Sequence, residues 1–153
     1  MNEHDDYMTP LHAWEAVAHL IPPRVIWEPF YGDGTSGEHL RSLGFEVIHE
    51  DIDFFDHDYG DIIVTNPPFS KTKTIIPRLK ELNKPFIVIM PSSKICTKYV
   101  RESFGTSIQI IIPRKRMNFI KQEDGADVES PGCSFDCFYY CYNIGLPRDI
   151  VFL

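Results

Sequence analysis

The tetrapeptide Asn66-Pro67-Pro68-Phe69 is the stretch of this sequence whose residue types are best suited to chemistry. It follows the apolar run 61–65, which predicts a short buried strand. Two successive prolines cannot continue a sheet ladder, so the strand must end there in a stiff, extended turn. In open α/β sheets ligands bind at this end of a strand, so the tetrapeptide is a candidate site. A plain loop with a buried Phe69 is the alternative.

A second candidate lies at the end of the apolar segment 24–30, where Glu28 precedes a turn with Gly32 and Gly34. A helix is predicted to follow, from 38 to 43. Doubly wound folds bind cofactors with this arrangement, because glycines let a ligand approach the backbone and the helix start offers free N–H groups. The spacing differs from that of dinucleotide-binding turns, and an acid before the glycines suits a cofactor that carries an amine. Glycine turns without a ligand are also common.

A third group of polar residues, Asp51 and Asp53, follows the predicted strand 45–49. Asp51 comes nineteen residues after Gly32, near the position (about 20 residues on) from which a carboxylate reaches a ribose in such folds. Neighbouring carboxylates repel each other unless they face water or a hydroxylated ligand, so a solvated turn is the alternative. Phe54 beside them suits an adenine pocket or the core.

The histidines and cysteines do not predict a metal site. His49 and His57 lack metal-ligand spacing to any cysteine. Cys133, Cys137 and Cys141 fall four residues apart, which on a strand places them on one face but about 13 Å from one another, too far for one ion. Small thiols buried against a sheet explain them better.

Charge is distributed unevenly along the 153 residues. The formal net charge is −7, but residues 1–70 carry −12, residues 71–121 carry +10 and residues 122–153 carry −5. The positive block could face the phosphates of a nucleic acid, or it could consist of solvated helix faces. The candidate nucleic-acid-binding residues in it are Lys71, Lys73, Lys94, Arg114, Lys115 and Arg116.

The elements that must position these groups alternate along the chain. Helices are predicted at 9–21, 38–43, 71–82 (kinked or split by Pro77) and 92–104, and strands at 24–30, 45–49, 61–65, 86–90, 108–112, 133–142 and 150–152. This order predicts an α/β fold with a mainly parallel sheet. The three candidate groups then share the edge formed by the carboxyl ends of the strands.

The length predicts one domain, 1–153, in which 1–8 are flexible and the polar segment 121–132 is a mobile loop. No apolar stretch is long enough to span a bilayer, and no N-terminal apolar run follows a basic start, so a secretory leader is not expected. A soluble, cytoplasmic protein without a membrane partner is therefore expected.

Taken together, these motifs resemble the S-adenosylmethionine-dependent amino methyltransferases, especially the N6-adenine-specific DNA methyltransferases in their compact phage and viral form. Residues 66–69 are the Asn form of the Asp/Asn/Ser-Pro-Pro-Tyr/Phe catalytic motif, and residues 28–34 resemble the cofactor motif. Residues 7–10 resemble the N-terminal cofactor motif, 53–55 the segment that reads the cofactor adenine, and 116–136 the end of the compact members. The resemblance covers nearly the whole chain.

The resemblance implies a Rossmann-like class I methyltransferase fold with helices on both faces and an antiparallel C-terminal strand. It implies methyl transfer from S-adenosylmethionine to the N6 amine of adenine in nucleic acid, with DNA ahead of RNA. Asn66 and the Pro67 carbonyl would accept the amine hydrogens, and Phe69 would stack on the base. The implied cofactor-binding residues are Tyr7, Thr9, Pro10, Glu28, Pro29, Phe30, Gly32, Gly34, Asp51, Asp53 and Phe54, and Glu50 could exchange roles with Asp51.

Two features depart from the family pattern. Only nine residues separate Asp51 from Asp61, so the usual helix and third strand between them must be shortened or absent. A separate target-recognition domain is also not expected within residues 1–153, so sequence reading would come from residues 71–132 or from a second copy in a homodimer. Methylation of RNA, methylation of a protein glutamine amide, and an inactive binding module with the same fold remain the alternatives.

Overall fold

The structure, a computed structural model, describes residues 7–117, 119–123, 126–130 and 136–153. Within these residues the strands are β1 (Tyr7–Met8), β2 (Ile26–Trp27), β3 (Val47–Ile48), β4 (Ile62–Thr65), β5 (Phe86–Pro91), β6 (Gln109–Ile112), β7 (Phe119–Glu123), β8 (Ala126–Ser130), β9 (Cys137–Tyr142) and β10 (Ile150–Phe152). The α-helices are α1 (Leu11–Glu15), α2 (Thr35–Ser42), α3 (Thr72–Leu82) and α4 (Lys98–Phe104). Turns of 3₁₀ helix cover Ala18–Leu20, Phe69–Lys71, Ser92–Cys96 and Gly105–Ser107.

Seven strands form the main sheet in the order β10-β6-β9-β5-β4-β2-β3. Strand β9 is antiparallel to its neighbours β5 and β6, and the other pairs are parallel. Pairs such as Ile26 with Ile62 and Val64 with Ile87 bring the carboxyl ends of β2, β4 and β5 to one edge. This confirms the prediction of a mainly parallel sheet with an antiparallel strand near the C-terminus.

Helices cover both faces of this sheet. Strand residues alternate between the two faces, so Ile62 and Val64 join the core that contains Trp14 of α1 and Leu40 of α2. Ile63 joins the opposite core, which α3 and α4 cover. One sheet between two layers of helices is the arrangement that alternating strands and helices predict.

The segment 49–61 between β3 and β4 contains no helix and no strand. The usual crossover unit is therefore absent at this point, as the short spacing between Asp51 and Asp61 predicts. Strand β3 consequently lies at the edge of the sheet. Strand β2 runs directly into the turn that carries Glu28, and the chain returns to the sheet at Ile62 in β4.

A small second sheet corrects the prediction of a loop at 121–132. Residues 121–123 and 126–130 belong to β7 and β8, which form an antiparallel hairpin, and β1 pairs with β7 through Tyr7 with Lys121 and Met8 with Ile120. Backbone hydrogen bonds can hold such a ladder without an apolar pattern in the sequence, which is why composition alone predicts a loop. Residues 124–125 and 131–132 lie outside the described residues, as do 1–6.

Other boundaries differ in detail from the predictions. Strand β2 is shorter than 24–30, and the helix predicted over 92–104 is divided by the extended residue Thr97. Pro77 lies inside α3 without splitting it. The carbonyl that loses its partner there belongs to Lys73, which is exposed, so water can replace the missing N–H.

The prediction of buried thiols is confirmed where the structure describes them. Cys137 and Cys141 are buried on β9 and lie in the core beneath α1 and α2. Burial raises the pKa of the Cys141 thiol well above its ordinary value, so this side chain stays neutral. Cys133 lies outside the described residues.

Candidate active site

The carboxyl ends of β2, β3 and β4 surround a cavity of about 600 Å³, which we call the strand-end cavity. Its size is typical of small-molecule sites. The three groups that the sequence singles out meet there, because parallel strands end at one edge of the sheet. The predicted residues that line it are Thr9, Glu28, Pro29, Phe30, Gly32, Asp51, Asp53, Phe54, Asn66, Pro67, Pro68, Phe69 and Lys71.

Three predicted cofactor residues are outside this lining. Gly34 has a φ of +88°, which favours glycine, and a Cβ there would lie 3.1 Å from the Tyr31 hydroxyl. Gly34 thus shapes the turn and precedes α2 directly. Pro10 is the buried N-cap residue of α1, and Tyr7 lies on β1.

Glu28 is the chemical centre of the cavity wall. It is only 1% exposed, yet it lines the strand-end cavity. Its carboxyl accepts hydrogen bonds from the Thr65 hydroxyl, from the Ser36 hydroxyl at 3.0 Å and from the Phe30 N–H at 3.1 Å. Burial raises the pKa of Glu28 to about 8, although these three donors act in the opposite direction. Glu28 is therefore poised to change charge when a cation enters the cavity.

A chain of hydrogen bonds connects Glu28 with the core. The Trp14 indole Nε1–H donates to Ser36 Oγ at 3.1 Å, and Ser36 donates to Glu28 Oε2. Trp14 is fully buried on α1, and Ser36 lies in the first turn of α2. Sequence reasoning missed Ser36 and Thr65, since small hydroxyl residues carry no pattern that separates a partner of a buried acid from an ordinary surface residue.

His49 supports the glycine turn from behind. Its Nε2 lies 3.1 Å from the carbonyl oxygen of Tyr31 and 3.3 Å from that of Phe30. Burial lowers the pKa of His49, so at neutral pH the ring is neutral and Nε2–H donates to these carbonyls. A Cβ on Gly37 would lie 1.9 Å from His49 Nδ1, so only glycine lets α2 approach the ring this closely. These contacts give His49 a structural role.

The acids after β3 lie at the mouth of the cavity. Asp51 and Asp53 are exposed, and Asp53 Oδ1 accepts the Phe55 N–H at 2.8 Å, which fixes the local turn. Phe54 is buried, with its ring centroid 5.1 Å from that of Phe30 and 5.3 Å from that of Phe55. Phe55 itself is 42% exposed and lines the cavity. An apolar wall therefore stands beside two carboxylates, which suits a ligand with an aromatic base and hydroxyl groups.

Asn66 presents an unused acceptor. Its Oδ1 is buried, and among the described residues it has no hydrogen-bond partner. The turn that carries it is held firmly, because the Thr72 hydroxyl donates to the Phe69 carbonyl at 3.2 Å and contacts the Tyr99 hydroxyl at 2.9 Å. Phe69 is 6% exposed and also lines the cavity. A fixed acceptor at a cavity wall can receive a ligand N–H or O–H.

The first strand contributes a residue that the sequence did not single out by itself. Met8 lines the strand-end cavity, and a Cβ on Gly32 would lie 3.2 Å from Met8 Sδ. Tyr31, 40% exposed, lines the same cavity. The small sheet of β1, β7 and β8 thus reaches the glycine turn through Met8.

The predicted nucleic-acid-binding residues all follow parallel strands. Lys71 and Lys73 come after β4, and Lys94 comes after β5. The other three, Arg114–Arg116, come after β6 and line a second cavity, of about 670 Å³. We call it the basic groove; its remaining lining residues are His12, Ala13, Ala16, His19, Leu20, Pro113, Met117, Tyr139, Val151, Phe152 and Leu153.

Neither a metal centre nor a membrane span is found in the part of the chain that the structure describes. No group of three or more His, Cys, Asp or Glu side chains there is arranged to hold a metal ion. No helix among the same residues has the length and apolar character needed to cross a bilayer.

No protein-family profile matches the sequence, and no curated protein matches it significantly. Solved structures do match. One is PH1948 from Pyrococcus horikoshii, provisionally assigned as an RNA methyltransferase, with 12% identity, a TM-score of 0.55, and coverage of 86% of this chain and 80% of that chain. Another is lmo1582 from Listeria monocytogenes, provisionally assigned as a class I S-adenosylmethionine-dependent methyltransferase, with 11% identity, a TM-score of 0.52, and coverage of 99% and 67%.

The chain has the class I methyltransferase fold. S-adenosylmethionine is the cofactor that this class I fold implies, and the residues of the strand-end cavity fit it. Buried Glu28 suits its ammonium group, exposed Asp51 suits ribose hydroxyls, and the wall at Phe54 suits its adenine. At 11–12% identity, the likeness to these two structures concerns the fold alone.

Proposed function

We propose that this protein is an S-adenosylmethionine-dependent methyltransferase that acts on an exocyclic base amine in nucleic acid, the N6 amine of adenine. The observation that carries the proposal is the buried, unpartnered Asn66 Oδ1 in the wall of a cavity that also contains Glu28. An acceptor left unpaired in this way costs about 1–3 kcal/mol. A substrate that brings an N–H to Asn66 recovers that free energy, whereas one without an N–H does not.

The catalytic step requires positioning rather than a covalent intermediate on the protein. An exocyclic amine is a weak nucleophile because its lone pair is delocalised into the ring. Asn66 Oδ1 and the Pro67 carbonyl would accept its two hydrogens and favour the pyramidal form, whose lone pair points at the methyl group. Both acceptors are fixed before the reaction, since the 3₁₀ turn Phe69–Lys71 and Thr72 hold the motif.

The base would leave its stack to reach this acceptor. An amine inside a duplex lies too deep for a cavity of this kind, so the base is extruded or already unpaired. Phe69 lies in the wall beside Asn66 and would pack against the ring of the base. The Pro67-Pro68 pair stiffens the backbone and keeps Phe69 and Asn66 at a fixed separation.

The cofactor would occupy the β2 and β3 side of the strand-end cavity. Its sulfonium supplies an electrophilic methyl group. Glu28 and Gly32 would hold the amino-acid end, Asp51 the ribose, and Asp53 with Phe54 the adenine. This arrangement leaves the β4 side, with Asn66, for the base amine, so that nucleophile and methyl group meet along the row of strand ends.

Nucleic acid is proposed as the substrate on the basis of charge. Lys71 lines the same cavity as Asn66, and Lys94 and Arg114–Arg116 follow the neighbouring strands β5 and β6 at the same edge. Phosphate contacts of this kind give affinity without sequence information. The resemblance of the motifs places DNA ahead of RNA, and the assignment of PH1948 keeps RNA as the second candidate.

The test is transfer of a labelled methyl group from S-adenosylmethionine to separate pools of duplex DNA, single-stranded DNA, RNA and protein, followed by digestion to nucleosides. We expect N6-methyladenine in at least one nucleic-acid pool, with no label when Asn66→Ala is used. Asn66→Asp keeps an acceptor and serves as the matched control. Label in protein alone, or on a base atom other than an exocyclic amine, would overturn the proposal. Absence of cofactor binding in calorimetry would favour an inactive binding module.

A further inference from the structure

The basic groove and the strand-end cavity are lined by neighbouring parts of the chain around the start of α1. Thr9, two residues before α1, lines the strand-end cavity, and His12 on α1 lines the basic groove. The groove floor is formed by apolar side chains, among them Met117 and Val151. Two openings lined by residues only three positions apart in the chain can be reached by one extended ligand.

The rim of the groove is strongly positive. Arg114 and Lys115 are exposed, and among the described residues neither forms an ion pair. Arg116 pairs with Asp136 at 3.1 Å, which anchors the segment after β6. Two adjacent cations beside an apolar floor suit a ligand that carries repeated negative charge together with flat apolar groups.

An aromatic side chain completes the groove. Phe152 on β10 is 75% exposed, the largest exposed fraction among the large apolar residues described, and it lines the groove. Strand β10 is at the edge of the main sheet and, among the described strands, pairs with β6 alone. An exposed ring beside cations is the combination with which proteins bind unpaired nucleic-acid strands, where bases stack on rings and cations meet phosphates.

The distance between the groove and Asn66 is one that a single polynucleotide strand can span. Strands β4 and β6 both end at the carboxyl edge and are three strand positions apart, which is about 14 Å. Since stacked nucleotides advance by about 3.4 Å per phosphate, this separation corresponds to roughly four nucleotides. Lys94, after the intervening strand β5, lies between the two ends of this path.

From these observations we infer that the basic groove binds an unpaired polynucleotide strand, with phosphates on Arg114 and Lys115 and a base stacked on Phe152. The inference extends the proposed function, because the same strand would supply the target amine about four nucleotides away. Its test measures binding without cofactor, so its failure is distinguishable from failure of methyl transfer.

The experiment is a fluorescence-anisotropy titration of the full chain with short labelled oligonucleotides: single-stranded DNA, single-stranded RNA and duplex DNA, over a range of salt concentrations. We expect single strands to bind more tightly than the duplex. The double variant Arg114→Ala/Lys115→Ala should weaken single-strand binding at least about tenfold. It should also reduce the slope of log affinity against log salt by about 1.4, since each phosphate contact on a single strand contributes about 0.7. The matched control Lys98→Ala/Arg101→Ala removes the same charge from α4, on the opposite face of the sheet.

Phe152 is tested separately. Phe152→Ala should weaken binding by about 5- to 150-fold, the range for loss of one stacked base, with the salt slope unchanged. Phe152→Trp should restore affinity, and Ile150→Ala, an exposed apolar residue on the same strand, should leave it unaltered. Circular dichroism confirms that each variant is folded.

Two results would overturn the inference. One is equal weakening by the groove variant and the α4 control, because total charge rather than the groove would then set affinity. The other is a Phe152→Ala variant that keeps full affinity for single strands. If sedimentation shows that this variant instead converts a dimer into a monomer, Phe152 belongs to a self-association surface and the nucleic-acid assignment fails.

Discussion

The strand-end cavity and the basic groove lie on the same edge of one sheet but are constructed in opposite ways. The cavity is organised by a buried acid whose oxygens accept hydrogen bonds from Ser36, Thr65 and Phe30. The groove is organised by exposed cations and an exposed ring at Phe152. A buried, hydrogen-bonded wall selects one small molecule by geometry, whereas exposed cations and rings accept many sequences of a polymer.

The difference follows the uneven charge of the chain. The segment 1–70, at net −12, supplies Glu28 and the acids after β3 to the cavity, and the segment 71–121, at net +10, supplies Arg114–Arg116 to the groove. A formal net charge of −7 therefore conceals two local fields of opposite sign. Because a field acts over about a Debye length, a cationic cofactor and an anionic polymer can be attracted to adjacent sites on a small protein.

The largest expected effect is at Asn66, the acceptor of the strand-end cavity. Asn66→Ala should lower kcat by at least about a hundredfold, as for removal of a preorganised polar group in other active sites. Cofactor affinity should stay within about twofold of the wild type, since the proposed cofactor position is on the β2 and β3 side of the cavity. The free energy of unfolding should stay the same or rise by about 1 kcal/mol, because a buried unpaired acceptor is removed. Full activity in this variant would show that the cavity is not the reaction site.

The next largest effect is at Glu28, whose contribution to the free energy of unfolding depends on pH. Its pKa in the folded protein is raised from 4.5 to about 8 by burial, so the folded protein holds a proton that the unfolded chain loses. Its contribution to the free energy of unfolding is fully present below pH 4.5 and is lost as the pH rises through about 8, at about 1.4 kcal/mol per pH unit in between. Urea unfolding of the wild type and of Glu28→Gln between about pH 5 and pH 8 measures the difference.

The same titration should change the affinity for the cofactor, with a pH dependence opposite to that of stability. An ammonium group attracts the ionised carboxylate, so affinity for S-adenosylmethionine should increase as the pH rises toward 8, and Glu28→Gln should lose this dependence. Glu102→Gln, at an exposed acid on α4, is the control. A wild type and a Glu28→Gln variant with parallel pH profiles would rule out Glu28 as the titrating group.

Tight packing behind the glycine turn predicts a smaller effect. Gly37→Ala places a Cβ against His49 Nδ1 and should lower the free energy of unfolding by about 1–3 kcal/mol, the usual range for overpacking. Gly105→Ala meets nothing within 4 Å and bears only the strain of its φ of +53°. Thermal denaturation of both variants compares crowding with strain. Equal losses would mean that His49 yields easily and does not brace the turn.

The smallest expected effect is on the groove side. Lys115→Glu should raise the KM for a polynucleotide about tenfold, with a much smaller change in kcat, since the phosphate contact affects binding more than the reacting atoms. Steady-state kinetics at low and high salt provides the check. An equal fall in kcat would place this residue next to the reaction and remove the proposed separation between cavity and groove.

Local patterns in the sequence were sufficient to predict that three polar groups meet at the strand-end cavity. Glu28, Asp51 and Asn66 each follow an apolar run, and parallel strands bring such positions to one edge without further information. Local patterns were insufficient to predict contacts that depend on pairing between strands far apart in the sequence. Met8 reaches Gly32 because β1 pairs with β7, where Met8 is opposite Ile120. The polar composition of 121–132 contains no period that would predict this ladder.

The basic groove illustrates the same limit. Its cations were predicted as a class, but their neighbours His12 and Phe152 come from the two ends of the chain. They meet only because β10 pairs beside β6, an order of strands that propensities do not encode. Hydrophobic periodicity indicates which residues are buried, while the position of an exposed ring relative to an exposed cation is a property of the assembled fold.

The hydrogen bond from Trp14 to Ser36 has a practical consequence for spectroscopy. Of the two tryptophans in the sequence, Trp14 is joined through Ser36 to Glu28, whereas Trp27 lies on the opposite face of the sheet. Indole emission responds to charge near the ring, so ionisation of Glu28 should alter the wavelength of Trp14 emission. In a Trp27→Phe background the protein would therefore carry an intrinsic optical reporter of the protonation of its own cavity, readable in real time without a label.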